Sequence, residues 1–250
     1  MALGKTKEAV DAAAGAIVSW GKRLEQRKAA VENLTRVLRE AKDLPAYVAS
    51  FEEALAKDKQ ENPTVRKALG RAFLERGDLA EAARHLEAAA ESGPLDPETF
   101  RLLVEAYEKG GSKERAAERL LALARRSGRD RSLFKELGDR YEALNRAADA
   151  ERAGTTLVEL SANESEGHEL LARVRVDQRR FDEAAGEWRQ VIRIRSREPG
   201  GYLMLGDTLI RAGKAAEVRE VLEKILRQDW PPQFGDTHKE ARKLLDTIKG

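Results

Sequence analysis

The chain has 250 residues, and its 46 lysines and arginines nearly balance 44 aspartates and glutamates, which leaves a net charge of +2. This balance argues against a strong polyanion-binding domain, which usually carries a clear basic excess, and the absence of cysteine excludes disulfides and thiolate metal sites. Charged residues make up 36% of the chain and aromatic residues only 5%, a composition that favours an elongated, surface-rich helical protein.

Residues 1–62 are predicted to form N-terminal helices that include one degenerate repeat, at 29–62. A first helix, at 9–24, contains an apolar stretch that charged residues flank on both sides. Because a membrane span needs about 20 largely apolar residues, this stretch predicts neither a span nor a signal peptide, and we expect a cytoplasmic protein. A fragment cut from a larger protein would show the same pattern.

From residue 63 onward the chain repeats itself every 34 residues. A leucine column falls at Leu69, Leu103, Leu137, Leu171 and Leu205. A column of small side chains follows at Ala82, Ala116, Ala150, Ala184 and Val218. A period held through five successive units predicts a repeat architecture in which each unit stacks on its neighbours.

Each period is predicted to hold two helices. Apolar residues at positions 100, 103, 104 and 107 follow the i, i+3, i+4, i+7 spacing of an amphipathic helix, and a second apolar stripe begins at Ala116. Gly111 lies between the two stripes, and Gly77, Asn145, Arg179 and Gly213 occupy its position in the other units. Glycine there suits a helix end that needs a left-handed residue. Asp96 and Pro97 are a suitable N-cap and first helical residue for the next unit.

These columns closely resemble the tetratricopeptide repeat family. The family's aromatic, Leu-Gly, Tyr, Ala, Phe and Ala pattern is matched here by Phe100, Leu103, Val104, Tyr107, Ala116, Leu120 and Leu123. The resemblance implies an all-α, right-handed superhelical solenoid of antiparallel helix pairs. Its five regular repeats would span 63–96, 97–130, 131–164, 165–198 and 199–232. The resemblance also implies a non-catalytic adaptor that holds a peptide or a partner helix in a concave groove.

The remaining segment, 233–250, is predicted to cap the solenoid. Trp230, Pro231 and Pro232 interrupt the helical pattern, and a last helix over 237–249 carries Ala241, Leu244, Leu245 and Ile248 on one face. A solenoid needs such a cap because its final repeat otherwise exposes an apolar face.

The candidate binding residues follow from the family register, in which the first helix of each repeat lines the groove. Carried over by position, the register assigns Lys67 and Arg71, then Arg101, Leu102 and Glu105, then Lys135 and Asp139, then Glu169, Leu170 and Arg173, then Leu203, Met204 and Asp207. Mixed charges with scattered apolar side chains suit a peptide that carries several side-chain types. We therefore expect another protein or a peptide as the partner.

No pattern in the sequence predicts catalysis, a cofactor or a metal site. His85, His168 and His238 lie in different units without metal-ligand spacing. His168 shares the column of Phe100, which favours a packed structural histidine. The sequence therefore predicts a protein that is not an enzyme.

Two alternatives to a peptide-binding adaptor remain open. Eight arginines against four acids between Arg173 and Arg197 give a local charge of +4, which could contact RNA phosphates. An acidic protein partner would explain the same patch equally well. The repeat pattern is also compatible with self-association.

The junction between repeats 131–164 and 165–198 departs from the pattern at two positions. Gly154 stands where the other units have Leu86, Leu120, Trp188 and Leu222, and Arg175 stands in the column of Tyr141. A missing large side chain predicts a loosely packed joint that could act as a hinge, unless the stem of Arg175 fills the space. Replacing Gly154 with leucine together with Arg175 with tyrosine is then expected to stabilise the fold and stiffen the groove.

Overall fold

The structure is a computed structural model that describes residues 63–248 together with Arg36, and every regular element within 63–248 is helical. The predicted helix at 9–24 and, apart from Arg36, the degenerate repeat at 29–62 lie outside the described residues. The α-helices are α1 (Pro63–Arg76), α2 (Leu79–Ser92), α3 (Pro97–Lys109), α4 (Lys113–Arg126), α5 (Arg131–Ala143), α6 (Ala147–Leu160), α7 (Glu166–Asp177), α8 (Phe181–Ile194), α9 (Gly200–Arg211), α10 (Ala215–Leu226) and α11 (Thr237–Asp246). A 3₁₀ turn at Pro232–Phe234 lies between α10 and α11.

The helices form antiparallel pairs, one pair in each 34-residue period from residue 63 to 232. The predicted all-α repeat fold is therefore confirmed. The chain divides into two compact units, one that runs to Ser127 and one that begins at Gly128. Within the first unit, each of the helices α1 to α4 packs against the next one, and within the second unit the helices α5 to α11 do the same.

The predicted leucine and small-residue columns form the interior of both units. All five leucines of the first column are at most 5% exposed, and all five residues of the small column are fully buried. In the second unit this interior continues through Leu209, Leu222 and Ile225 to Ala241 of α11. Burial of these side chains is the main stabilisation of each helix pair.

The turn inside each repeat uses one left-handed residue, as the sequence predicted. The backbone φ angles are 85° at Gly77, 76° at Gly111, 55° at Asn145, 60° at Arg179 and 73° at Gly213. The residue after each of them donates its N–H to a carbonyl five positions earlier, as Ser112 does to Tyr107 at 2.8 Å. This hydrogen bond closes the last helical turn in a Schellman motif.

The helix ends near the links follow the predicted capping chemistry. Asp96 accepts a hydrogen bond from the backbone N–H of Glu98 at 3.3 Å, and Pro97 is the first residue of α3. At the other end, α11 stops at Asp246, before the expected end at 249. The helix still buries Ala241 and packs Leu244 and Leu245 against the core of the second unit, and Ile248, just after the helix, packs there as well.

The loose joint expected at Gly154 is absent. A Cβ atom on Gly154 would lie 3.0 Å from Leu171 Cγ, so the position of the missing side chain is already occupied. On Gly167, in the facing helix α7, a Cβ atom would lie 3.0 Å from the carbonyl oxygen of Gly154. The two glycines let α6 and α7 approach to backbone contact, and the expectation that leucine would fit at 154 is wrong.

The charge of Arg175 is not led out to solvent, because its guanidinium is held by carboxylates from two helices. Its Nε lies 3.1 Å from Glu151 Oε1 on α6, and its Nη1 lies 2.5 Å from Glu187 Oε1 on α8. The side chain is only 18% exposed. An ion-pair cluster thus replaces the aromatic packing that Tyr141 provides in the preceding repeat.

Candidate functional site

The predicted binding residues lie on the first helices of the repeats, α1 and α3 in the first unit and α5, α7 and α9 in the second. We call these two surfaces the first-helix faces of the units. Adjacent first helices touch within each unit, α1 with α3 and α5 with α7. The side chains of neighbouring repeats can therefore contact one another on each face.

On the first unit, Lys67 and Arg71 are engaged by acidic side chains of the chain itself. Lys67 Nζ lies 2.8 Å from Asp96 Oδ2 and also pairs with Glu98, and its side chain is only 14% exposed. Arg71 contacts Glu75 at 3.3 Å and Glu98 at 3.6 Å. These two cations hold α1 to the start of α3, which leaves little of their charge for a partner.

Asp96 links this ion pair to the cap of α3. Burial alone would raise its pKa, but hydrogen bonds from Lys67 and Thr99 and the charge of Lys67 hold the pKa of Asp96 below its ordinary value of 3.8. The carboxylate therefore stays ionised at neutral pH. It accepts one hydrogen bond from the backbone at the N-terminus of α3 and another from Lys67.

The other predicted residues of the first unit are more open. Arg101 is exposed, and Leu102 and Glu105 are half-buried. Glu105 pairs with Lys109 one turn later, at 2.8 Å. Such i, i+4 pairs on a helix surface are weak and exchange readily with solvent or a partner.

On the second unit, the structure brings Asp139 and Arg173 together across one full repeat period. Arg173 Nη2 lies 3.2 Å from Asp139 Oδ1 and 2.6 Å from Glu142 Oε2. The hydrogen bond and charge of Glu142 raise the pKa of Arg173 above its ordinary value. The predicted charges on this part of the face therefore neutralise each other within the chain.

Glu169 and Asp207 are also paired. Glu169 accepts a hydrogen bond from Ser165 at 2.6 Å and lies 3.4 Å from Arg195, while Asp207 lies 2.9 Å from Arg211. Leu170, which the register placed in the groove, is instead buried at 2% exposure. Leu203 is half-buried and packs against the core of the second unit.

Met204 and Lys135 differ from these residues because they remain open. Met204 is 51% exposed, the large apolar side chain that stands out on the surface of the described chain. Lys135 is exposed, and no acidic group pairs with it among residues 63–248. A partner can contact both side chains without first displacing an ion pair.

The acids that pair with the predicted cations of the first-helix faces were not identified from the sequence. Asp96, Glu98 and Glu142 neutralise three of the predicted cations, yet none of them stands at a groove position of the register. Their only sequence signal is indirect, since each is an acid near a helix end about one repeat away from a basic residue. Long side chains choose partners by proximity in the fold, which spacing alone does not reveal.

Two of the three histidines, His85 and His168, occupy buried positions. His85 is fully buried and stacks on Phe73 with ring centroids 5.4 Å apart. His168 is 9% exposed, with Nδ1 2.6 Å from Glu187 Oε2, in agreement with the predicted packed histidine. Within the described part of the chain, no group of three His, Asp or Glu side chains is arranged to hold a metal ion.

The arginine-rich stretch is largely neutralised. Five of its eight arginines lie within 4 Å of a carboxylate: Arg173, Arg175, Arg180, Arg189 and Arg195. Trp188, one of the two aromatic side chains of this stretch, is buried at 6% exposure and cannot stack on a base, and the other, Phe181, is half-buried. None of the helices between residues 63 and 248 has the length and apolarity required to span a membrane.

Comparisons with known proteins agree with this geometry. A sequence model described as "Tetratricopeptide repeat" matches residues 48–97, 67–132 and 169–232. Among solved structures, YrrB, described as "a TPR protein with an unusual peptide-binding site", aligns with a TM-score of 0.52 and 17% identity over 77% of this chain and 96% of that chain. A crystal structure of MamA protein aligns with a TM-score of 0.50 and 17% identity over 75% of this chain and 93% of that chain.

No curated protein sequence matches the chain. At such low identities the structural likenesses show the fold alone. The family model, however, matches more than half of the chain, and its matches cover the buried columns of four of the five repeats in whole or in part. On this basis, the chain belongs to the tetratricopeptide repeat family.

Proposed function

We propose that this protein is a non-catalytic scaffold that binds a peptide or a partner helix on the first-helix faces of its repeats. Membership of the tetratricopeptide repeat family supports a protein–protein interaction scaffold in general. The YrrB structure, whose description names a peptide-binding site, shares the fold. Both favour a protein or peptide partner over a small-molecule substrate.

One observation supports the finer proposal. Most charged side chains of the second unit's first-helix face are paired within the chain, whereas Met204 is half-exposed on the same set of helices. A methionine has three rotatable bonds and a polarisable sulfur, so it adapts to partner side chains of different shapes. A partner that buries Met204 gains apolar contact area and breaks no ion pair to do so.

The RNA-binding alternative is not favoured. Three arginines of the predicted basic stretch, Arg179, Arg193 and Arg197, have no carboxylate partner among the described residues. Of the two aromatic side chains in this stretch, Trp188 is buried and Phe181 is half-buried, so neither is an open stacking platform. Single-stranded nucleic acids are usually held by stacking on such aromatics as well as by phosphate contacts.

The test is a peptide-display selection on the intact chain, followed by affinity measurements on variants. Met204→Asp and Lys135→Glu should each weaken the selected peptides at least about tenfold, because burial of a new charge or repulsion costs more than 1.4 kcal/mol. Arg193→Glu, an exposed position on the second helix α8, is the matched control. If Arg193→Glu reduces binding and the two other variants do not, the proposal is wrong.

A further inference from the structure

A groove of about 520 Å³ lies in the first unit, between α2 and the turn that joins α3 to α4. Ala80 and Ala83 of α2 form one wall, Tyr107 of α3 lies at the bottom, and Ser112 and Arg115 of α4 form the opposite rim. We call this the Tyr107 groove. It lies beside second helices of the repeats, so it is separate from the first-helix face.

The same position two periods later is filled by the chain itself. Glu151 stands in the register position of Ala83, and Arg175 and Arg180 stand in those of Tyr107 and Ser112. There the Glu151 carboxylate lies 3.1 Å from Arg175 Nε and 2.9 Å from Arg180 Nη1. In the Tyr107 groove, alanine stands at the register position of that acid.

The groups that line the groove also favour a negatively charged ligand. Arg115 lies over the Tyr107 ring with its Cζ 5.8 Å from the centroid, and no carboxylate pairs with it among the described residues. The Ser112 side chain makes no capping hydrogen bond to α4, so its hydroxyl remains available as a donor. Both groups stand at the positive end of the α4 dipole.

The acid and the other cations near the groove are already paired. Glu87 accepts a hydrogen bond from the Tyr107 hydroxyl at 2.6 Å and lies 2.9 Å from Arg119. Arg84 lies 2.6 Å from Glu81. Of the two arginines that line the groove, Arg84 is therefore paired and Arg115 has no carboxylate partner among the described residues. The guanidinium of Arg115 can donate hydrogen bonds to an acidic ligand.

We infer that the Tyr107 groove is a second protein-binding site, which accepts an aspartate or glutamate side chain of a partner protein. The carboxylate takes the position that Glu151 occupies in the later repeats, where it meets Arg115 and Ser112. Apolar neighbours of the acidic residue pack on Leu79, Ala80 and Ala83. A charge-assisted hydrogen bond to a guanidinium supplies the selectivity for the acid.

An NMR titration of the intact chain with three small peptides tests this inference. The probes are acetyl-Leu-Glu-Leu-amide and its Gln and Lys counterparts. The Glu peptide should shift the backbone amide signals of residues 112–115 and bind about tenfold more tightly than the Gln peptide, the loss expected for one charge-assisted hydrogen bond. Equal binding of the Glu and Gln peptides, or tighter binding of the Lys peptide, would overturn the inference.

Two variants sharpen the result. Ala83→Glu places a carboxylate where the register has Glu151, so it should fill the groove and abolish the shifts, while Arg115→Gln should weaken binding about tenfold. Arg125→Gln, an exposed site on the same helix, is the control, and thermal unfolding verifies that each variant is folded. Binding that survives Ala83→Glu would place the peptide elsewhere. Met204→Asp should leave this titration unchanged, which separates the second site from the first-helix face.

Discussion

Leu170 packs directly over Gly138, with its Cδ1 and Cγ atoms 3.2 and 3.3 Å from the point where a Cβ on residue 138 would lie. In the first and fifth repeats, the equivalent glycines are covered from within the same repeat, Gly70 by Leu86 and Gly206 by Leu222. The third repeat has Gly154 in place of that leucine, so its glycine is covered by the first helix of the following repeat. At this joint, the contact between the two repeats therefore includes Leu170 packed over Gly138.

We expect Gly138→Ala to destabilise the fold, because the added methyl group must displace Leu170. Overpacking of this kind costs about 1–3 kcal/mol, against a gain in helix propensity of about 1 kcal/mol. Gly186→Ala is the matched control, since a Cβ there meets nothing within 4 Å and it lies inside α8. Chemical denaturation should show a lower free energy of unfolding for the first variant and a higher one for the second. Equal stabilisation of both would contradict the packing described.

Gly154→Leu should be more damaging than Gly138→Ala. Its Cβ alone would contact Leu171 at 3.0 Å, and the rest of the side chain has no space between α6 and α7. We expect a loss of about 2–3 kcal/mol, measured as a fall in the denaturation midpoint. In the unaltered protein, hydrogen exchange should show residues 150–175 as well protected as residues 100–125. Weaker protection of residues 150–175 would instead support a hinge at this joint.

The Glu151 cluster should make stability depend on pH in the acid range. Burial alone would raise its pKa, but the hydrogen bonds and charges of Arg180 and Arg175 hold the pKa of Glu151 below its ordinary value of 4.5. An acid with a lowered pKa stabilises the folded state fully above pH 4.5 and progressively less as the pH falls through its folded-state pKa.

Glu151→Gln should therefore cost about 1 kcal/mol at pH 7, allowing for solvent screening of a partly exposed pair. The difference from the unaltered protein should shrink as the pH falls below 4.5. Glu159→Gln, on the exposed side of the same helix α6 and without an ion pair among the described residues, is the control. A cost at residue 151 that does not change with pH would exclude the ion-pair explanation.

Arg179→Gly should stabilise the protein. Arg179 has a φ of 60°, a conformation that costs a non-glycine residue about 1–2 kcal/mol, while glycine adopts it freely. After the larger backbone entropy of glycine in the unfolded chain is subtracted, we expect a gain of about 0.5–1 kcal/mol. Asn145→Gly should gain less, because asparagine tolerates this region better. Differential scanning calorimetry on both variants measures the two effects side by side.

The sequence by itself determined the local structure of this protein. A strict 34-residue period fixes which side chains face inward, and the structure buries every member of the leucine and small-residue columns. Even the left-handed turn at Arg179 could be predicted from its register with Gly111. These features depend on residues close together in the chain, for which helical periodicity and turn chemistry are sufficient rules.

Only the tertiary structure decided how the departures from the pattern are resolved. The pairing of Lys67 with Asp96, the contact of Leu170 with Gly138 and the cluster around Arg175 all join different helices. Long charged side chains have several partners within reach, and a glycine admits a neighbour from either side. Which partner is chosen depends on distances of a few tenths of an ångström between packed helices, and a register of columns does not contain those distances.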